Sequence, residues 1–220
     1  MANEVEICNM GLSHIRSGSI NALTESSVQA QQCKLWYPIV RDQVLQDAPW
    51  GFSHSLKPLA LLSDSIFNWR YVYQYPTDCL RVNHLLINYA TTSSDAGGSS
   101  STSSRVYDLE SLDAQFPKVN YKIFNIDGNK VIAANESELR VDYRMRVEDP
   151  NLFTLDCQEA MAFLLASKLA VPIVGLKEGR ELRKDSLQLY SSYLKAALTN
   201  NSNEEHEGVP DSESILVRQS

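Results

Sequence analysis

The chain has 220 residues, and 43% of them are hydrophobic, which is enough to bury a core without disulfide or metal support. Its formal net charge of −7 argues against a protein whose main task is to grip a nucleic-acid backbone. The four cysteines lie far apart, without a C-x-x-C pair or histidines at zinc-ligand spacing. Since no signal peptide is visible, we predict buried, reduced thiols.

The first two predicted elements are amphipathic helices. Residues 3–17 place their apolar side chains on one stripe, and Gly18 is the predicted stop. A second helix is predicted to begin at a cap formed by Thr24 or Ser26 and to end before Pro49, because proline cannot continue a helix. Its predicted buried stripe consists of Ala30, Cys33, Tyr37, Val40 and Val44.

The middle of the chain predicts antiparallel strands. Aromatic residues alternate with other types over residues 69–75, which is the period-two pattern of a strand with one crowded face. Residues 125–129 contain Asp-Gly and predict a hairpin turn. The most regular alternation covers residues 138–147, where one face is apolar and the other carries Arg140 and Arg144. This pattern predicts a strand that borders solvent or a partner.

Two further helices are predicted after the strands. Residues 153–171 are apolar nearly all round, which indicates a helix that is buried on more than one side and is ended by Pro172 and Gly175. Residues 176–198 predict a fourth helix with two apolar stripes, one for the core and one for a neighbour. The two stripes are Leu182/Leu189/Ala196 and Leu187/Tyr190/Leu194.

This order of elements predicts an α+β protein. We expect a four-helix bundle from both chain ends, residues 1–49 and 149–199, with an inserted antiparallel β-rich domain over residues 50–148. The Ser-rich stretch 91–104 predicts a mobile loop. Residues 200–220 predict an extended acidic C-terminal tail, because they have too little apolar content to fold alone.

The sequence predicts no catalytic, cofactor-binding or metal-binding residue. It contains no glycine-rich phosphate loop, no G-x-S-x-G and no H-E-x-x-H, and its four histidines fall in four different predicted elements. A nucleophile pair of Cys33 or Cys157 with a distant histidine has no support beyond the presence of these residues. A carboxylate pair for glycoside hydrolysis depends on spatial spacing, so a small virion-associated cell-wall hydrolase stays an alternative.

Several short motifs resemble, in the same order, those of one viral family. The chain is similar to the head-to-tail adaptor, or tail tubular protein A, of short-tailed double-stranded-DNA bacteriophages over about residues 3–90 and 120–198. The resemblance rests on Ile7 to Ile15, Leu23-Thr24-Glu25, Tyr37-Pro38 with Arg41-Asp42 and Leu45, Pro49-Trp50-Gly51-Phe52, Tyr75-Pro76-x-Asp78-Cys79-Leu80-Arg81, and Ala160-x-x-x-Leu164-x-x-x-Lys168-Leu169-Ala170. Gly51 departs from the Asn that is usual in the family, and the loop 91–104 is longer than usual.

The resemblance implies a structural virion protein of the tail, made in the host cytoplasm, and not an enzyme. Such a protein forms a homo-oligomeric ring, a dodecamer in that family, between the portal protein and the tail nozzle protein. Duplex DNA passes through the channel without specific binding, and no cofactor or membrane is involved. A generic α+β interaction module without a viral role is the third interpretation of this sequence.

The predicted interface residues follow from the ring. We expect Tyr190, Tyr193 and Leu194 near a subunit or portal contact, and Arg140 and Arg144 at an intersubunit contact, with solvated surface or phosphate contact as the alternatives for the arginines. In the acidic tail, the apolar run that is expected to dock on the portal is Ile215, Leu216 and Val217.

Overall fold

The computed structural model describes residues 3–62, 65–66, 68–87 and 119–204. These residues form a mixed α+β protein, as predicted, with four α-helices and two small antiparallel sheets. The helices are α1 (Glu4–His14), α2 (Val28–Asp47), α3 (Leu155–Val174) and α4 (Leu176–Glu204). The strands are β1 (His54–Pro58), β2 (Tyr71–Gln74), β3 (Cys79–Ile87), β4 (Tyr121–Ile126), β5 (Asn129–Ala134) and β6 (Leu139–Met145). The loop 91–104 and the run Ile215-Leu216-Val217 lie outside the described residues.

The ends of the first two helices differ from the prediction. Asn3 caps α1 through a capping box with Glu6, and the helix ends where Arg16 adopts a left-handed φ of 57°, before Gly18 is reached. The cap of α2 is Ser27, whose hydroxyl accepts a hydrogen bond from the backbone N of Ala30, and not Thr24 or Ser26. Sequence patterns predict helix ends only to within a residue or two, because several neighbouring residues are of types that can cap a helix.

The predicted buried stripe of α2 is confirmed, and the helix ends at Asp47 as expected. Trp50 closes that end, since its indole Nε1 donates a 2.9 Å hydrogen bond to the carbonyl oxygen of Val44. The otherwise unpartnered last carbonyls of the helix thus gain a buried donor. Pro38 lies inside the helix without ending it.

α3 is the central helix of the fold and packs against α1, α2 and α4. It is buried on more than one side, as predicted, but Pro172 lies within it and only Gly175, at a φ of 102°, marks its end. By length and composition alone α3 could also cross a membrane, but most of its apolar side chains are buried against the other helices. This burial is what the core helix of a folded domain shows.

α4 buries a different stripe from the two that were predicted. Its buried side is formed by Gly179, Ser186, Tyr190 and Ala197, with Leu182 and Leu194 half-buried against the same core. Leu187, Leu189 and Ala196 are exposed. Small residues occupy several contact positions of this helix. The prediction missed them because it followed only the spacing of large apolar side chains. The helix also continues to Glu204, into the segment that was predicted to be an extended tail.

The six strands form two three-stranded sheets with the orders β1-β6-β3 and β2-β5-β4. Apolar side chains from both sheets form one cluster, so the two sheets share a core. The hairpin between β4 and β5 is confirmed, with Asp127 and Gly128 at φ values of 49° and 85°, the conformation that Asp-Gly favours.

The prediction for β6, one buried face and one charged face that borders solvent or a partner, is confirmed in part: Arg140 on the outer face is exposed. β6 is the central strand of its sheet and pairs with β1 on one side and β3 on the other. Its inner face is apolar, as expected, but Asp142 on the outer face is only 5% exposed. Side chains of the neighbouring strands, His54 and His84, contact the carboxylate of Asp142 and cover this part of the charged face.

Candidate functional site

The junction between helices and sheets is built from charged residues at the end of β6. The guanidinium of Arg146 donates to the carboxylate of Asp42 on α2 at 2.9 and 2.8 Å, and Arg144 donates to the carbonyl oxygen of Gln46. Arg41, which is buried, binds the same Asp42 at 3.0 Å. These contacts hold β6 against the end of α2, so the Arg41-Asp42 motif has a structural role at this junction.

Asp78 extends the same junction from the loop before β3. Its carboxylate accepts hydrogen bonds from the hydroxyl of Tyr143 at 3.0 Å and from Nζ of Lys57 at 3.2 Å. Its backbone oxygen accepts from the N–H of Arg146 at 2.7 Å. Burial opposes ionisation, but the hydrogen bonds from Tyr143 and Lys57 outweigh it and hold the pKa of Asp78 below its usual value.

Replacing Tyr143 with phenylalanine is therefore expected to weaken the protein in a pH-dependent way. The pKa of Asp78 is lower in the folded chain than in the unfolded one, so its ionised carboxylate stabilises the folded state. This stabilisation is fully present above the unfolded pKa of about 4 and is lost as the pH falls through the folded pKa. We expect a loss of about 1 kcal/mol at neutral pH, since Asp78 is partly exposed to water. Urea unfolding at several pH values measures it, and a loss that is equally large at pH 2 would contradict it.

Two histidines from different strands bind one buried carboxylate on the outer face of the β1-β6-β3 sheet. Nε2 of His54 lies 2.5 Å from one oxygen of Asp142, and Nε2 of His84 lies 3.2 Å from the other. The amide of Asn83 donates to the first oxygen at 3.4 Å. Sequence reasoning missed this cluster, because the residues converge only through strand register. Among the described residues, no group of three His, Cys, Asp or Glu side chains is arranged to hold a metal ion.

The same outer face carries a pair of like charges. Arg81 on β3 is directly opposite Arg144 on β6, and like charges in opposed positions destabilise a sheet. Burial and the charge of Arg81 lower the pKa of Arg144. Within the described chain, the buried Nε of Arg144 has no hydrogen-bond partner. Arg140, two residues from Asp142 on the same face, is exposed.

The predicted interface residues of α4 have different surroundings. Tyr190 is 8% exposed, and its hydroxyl donates a 2.6 Å hydrogen bond to the carboxylate of Asp47, while burial raises its pKa. It thus holds α4 against the end of α2 inside the monomer. Tyr193 is exposed and lies against the ring of Phe163, with a centroid distance of 4.9 Å. Leu194 is half-buried in the helical core.

Two helices present apolar side chains to solvent. On α2, Val28, Leu35 and Ile39 are exposed at spacings of seven and four residues, which places them on one stripe opposite the buried stripe. On α4, Leu176, Leu187, Leu189 and Tyr193 are exposed, and of these Leu189 and Tyr193 lie four residues apart on one side of the helix. Isolated apolar side chains are common on protein surfaces, but an aligned stripe on a helix that is already packed indicates a second contact surface.

Two clefts on the sheets bear on the hydrolase alternative. One lies beside Trp69 and Arg70 and is lined by a single carboxylate, that of Glu136. The other lies between residues 74–79 and the β4–β5 turn, and its single carboxylate is that of Asp127. Glycoside hydrolysis by the usual route requires two carboxyl groups on either side of one bond. Among the described residues that line them, neither cleft has such a pair.

No protein-family model matches the chain, and no curated protein matches it either. The α+β class is thus shown by the structure, whereas the resemblance to head-to-tail adaptors stays a prediction.

Proposed function

We propose that this chain is a structural virion protein, a head-to-tail adaptor whose copies form a ring between the portal and the tail nozzle. The observation that carries the proposal is the presence of two unlike apolar surfaces on one subunit. One is the α2 stripe of Val28, Leu35 and Ile39, and the other is the α4 surface of Leu189 and Tyr193, which lie four residues apart on one side of the helix. A closed ring requires two different surfaces on each copy, because every subunit contacts one neighbour with each.

In this proposal the four helices act as one bundle formed from both chain ends. The support is the position of α3, which packs against the two N-terminal helices and against α4. The ion pairs of Arg146 and Arg41 with Asp42 then hold the sheets on the bundle in one orientation. A fixed orientation of the sheets on the bundle suits a ring, since the angle between neighbours has to repeat for the ring to close.

The channel of such a ring lets duplex DNA pass without specific binding. Each phosphate that a protein neutralises adds affinity and salt dependence, so a channel that grips DNA slows its passage. The net charge of −7 supports a non-binding channel. The proposal requires no cofactor and no membrane, and by the resemblance the ring is a dodecamer.

Complementary surface variants test this function. We expect Leu35→Glu with Ile39→Glu to abolish the α2 surface, and Leu189→Glu with Tyr193→Glu to abolish the α4 surface, so that neither variant forms rings on purified portal. Because each variant keeps one intact surface, an equal mixture is expected to give heterodimers and no ring. Lys34→Glu, a charge change at an exposed position of α2 away from the stripe, is the control and is expected to assemble normally.

Native mass spectrometry with electron microscopy of the same samples measures the outcome. Normal ring formation by both double variants would contradict the two-surface proposal. A wild-type chain that stays monomeric in the presence of portal would favour the generic interaction module instead. Circular dichroism shows whether the variants remain folded, which is expected because all four substituted side chains are exposed.

A further inference from the structure

The first half of α4 separates its exposed charges into two flanks. The basic flank consists of Lys177, Arg180 and Lys184, and the acidic flank consists of Glu178, Glu181 and Asp185. At about 100° per residue, the members of each flank fall within about 60° of the helix circumference, and the two flanks lie side by side on the face opposite the buried stripe. Arg183, which is also exposed, lies further round on the basic side. Two flanks of opposite sign on one helix are complementary to each other.

The charges of the two flanks are not paired within the subunit. Among the described residues, no ion pair includes a side chain of either flank. Lys177 and Glu181 are four residues apart, but with the lysine first this is the less favourable order for a pair on one helix. Both flanks are therefore available to groups outside the subunit.

The spacing of the two flanks fixes how a second copy would meet them. Each cation of the basic flank is followed directly in the chain by an anion of the acidic flank, at positions 177–178, 180–181 and 184–185. Successive residues differ by only about 1.5 Å along the helix axis. When two copies are related by rotation about an axis parallel to α4, without a shift along it, each cation of one copy is level with an anion of the next.

We propose that α4 runs along the axis of the ring and that the basic flank of each copy forms ion pairs with the acidic flank of the next copy. This inference rests on the proposed function and adds to it the direction of α4 and the register of the contact. Packed helices lie about 8–10 Å apart, which brings charged side chains on adjoining flanks within reach of each other. A rotation without a shift along the axis is also what closes a ring instead of extending a filament.

The flanks lie on the sides of α4 that the two apolar surfaces require. Asp185, Leu189 and Tyr193 follow one another at spacings of four residues, so the acidic flank continues into the α4 surface. Tyr190 lies two turns after Arg183 and binds Asp47 at the end of α2, so the basic flank is the one next to α2. Each contact thus combines α2 and the basic flank of one copy with the acidic flank and the α4 surface of its neighbour.

A second copy fits the two flanks better than a nucleic acid does. A phosphate backbone gains from contact with the basic flank, but the acidic flank directly beside it repels the same phosphates. A neighbouring copy satisfies the basic flank with carboxylates, and a second neighbour satisfies the acidic flank with lysine and arginine.

Two charge-reversal variants test the contact. Lys177→Glu with Arg180→Glu and Lys184→Glu makes both flanks acidic, and Glu178→Lys with Glu181→Lys and Asp185→Lys makes both basic. We expect neither variant alone to form rings on purified portal, with association between copies at least about tenfold weaker than in the wild-type chain, because like charges then meet. An equal mixture of the two is expected to form rings of alternating copies, which a ring with an even number of subunits permits.

The variant with all six substitutions exchanges the two flanks and is expected to form rings by itself. The matched control reverses three exposed lysines outside α4, through Lys34→Glu, Lys122→Glu and Lys130→Glu, and is expected to assemble like the wild-type chain. Wild-type rings are expected to weaken as salt rises, since exposed ion pairs are screened. Native mass spectrometry measures ring formation, and circular dichroism shows that each variant is folded.

Several results would overturn the proposal. Rings formed by either charge-reversal variant alone, beside normal wild-type rings, would show that the flanks do not meet and would leave the proposed function intact. Closed dimers from the mixture would show a face-to-face pair of helices instead. Tight binding of a short DNA duplex that is lost when both flanks are acidic would assign the basic flank to phosphate. A wild-type chain that forms no ring on portal would overturn the proposed function and this contact together.

A cysteine test examines the register directly. Chains with Lys184→Cys and chains with Asp185→Cys are mixed in equal amounts, assembled on portal and oxidised with diamide. We expect covalent dimers on a non-reducing gel from the mixture and few from either variant alone, because a disulfide needs Cα atoms within about 7 Å. The wild-type chain, with its partly buried Cys79, is the control. Normal rings without covalent dimers would contradict the level pairing of residues 184 and 185.

Discussion

Replacing Leu165 with alanine is expected to lower the free energy of unfolding by about 2–5 kcal/mol. Leu165 is 0% exposed and lies in the middle of α3, the helix against which the three others pack. Its side chain also comes within 3.3 Å of the position that a Cβ on Gly11 of α1 would take. The smaller side chain would leave a cavity between α1 and α3. The lost contacts cannot be replaced, because the two helices are already closely packed.

The same substitution at Leu155 is the matched control. Leu155 belongs to α3 as well but is 78% exposed, so its replacement by alanine is expected to change the stability by no more than about 0.5 kcal/mol. Urea unfolding of both variants gives the comparison. Similar losses for the two leucines would mean that α3 is not the buried centre of the helical core.

Gly179→Ala is expected to destabilise the chain by roughly 2–3 kcal/mol, because overpacking of a close contact forces backbone shifts. A Cβ at Gly179 would lie 2.6 Å from the carbonyl oxygen of Ala170 and 2.9 Å from Cα of Val171. Both atoms belong to the backbone of α3 and cannot turn away as a flexible side chain would. The new methyl group therefore pushes α4 away from α3.

Gly18→Ala is the control, since a Cβ there meets nothing within 4 Å and the residue has no left-handed φ. It is expected to be neutral or slightly stabilising, by up to about 1 kcal/mol, because alanine restricts the unfolded chain. In thermal unfolding, the melting temperatures of the two variants should differ by several degrees, since 1 kcal/mol corresponds to about 2–4 °C in a chain of this size. A neutral Gly179→Ala would show that α3 and α4 do not approach as closely as the structure has them.

Local patterns predicted the elements that bury large side chains on one side. The stripe of α2, the hairpin at Asp127-Gly128 and the burial of α3 on more than one side follow from side-chain periodicity and turn chemistry. The buried stripe of α4 was harder to predict, because its contact positions include Gly179 and Ser186. Small residues let two helices approach closely but carry no hydrophobic signal in a sequence.

The candidate functional surfaces depend on contacts between residues far apart in the chain. Strand pairing brings together His54, His84 and Asp142, because β1 and β3 both pair with β6. The register of such pairs cannot be predicted from any one segment of the sequence. The interior role of Tyr190 follows from Asp47, more than a hundred residues earlier. A periodic pattern indicates that such a tyrosine packs against another surface. It does not indicate whether that surface belongs to the same subunit or to a neighbour.

The central claim is that copies of this chain assemble as a ring between portal and tail nozzle, and electron cryo-microscopy of DNA-filled, portal-bearing capsids mixed with the purified protein tests it most directly. The account predicts a closed ring of identical copies below the portal, with the α2 stripe of one subunit against the α4 surface of the next. Particles without added density at the portal, or with single copies bound elsewhere on the capsid, would contradict it.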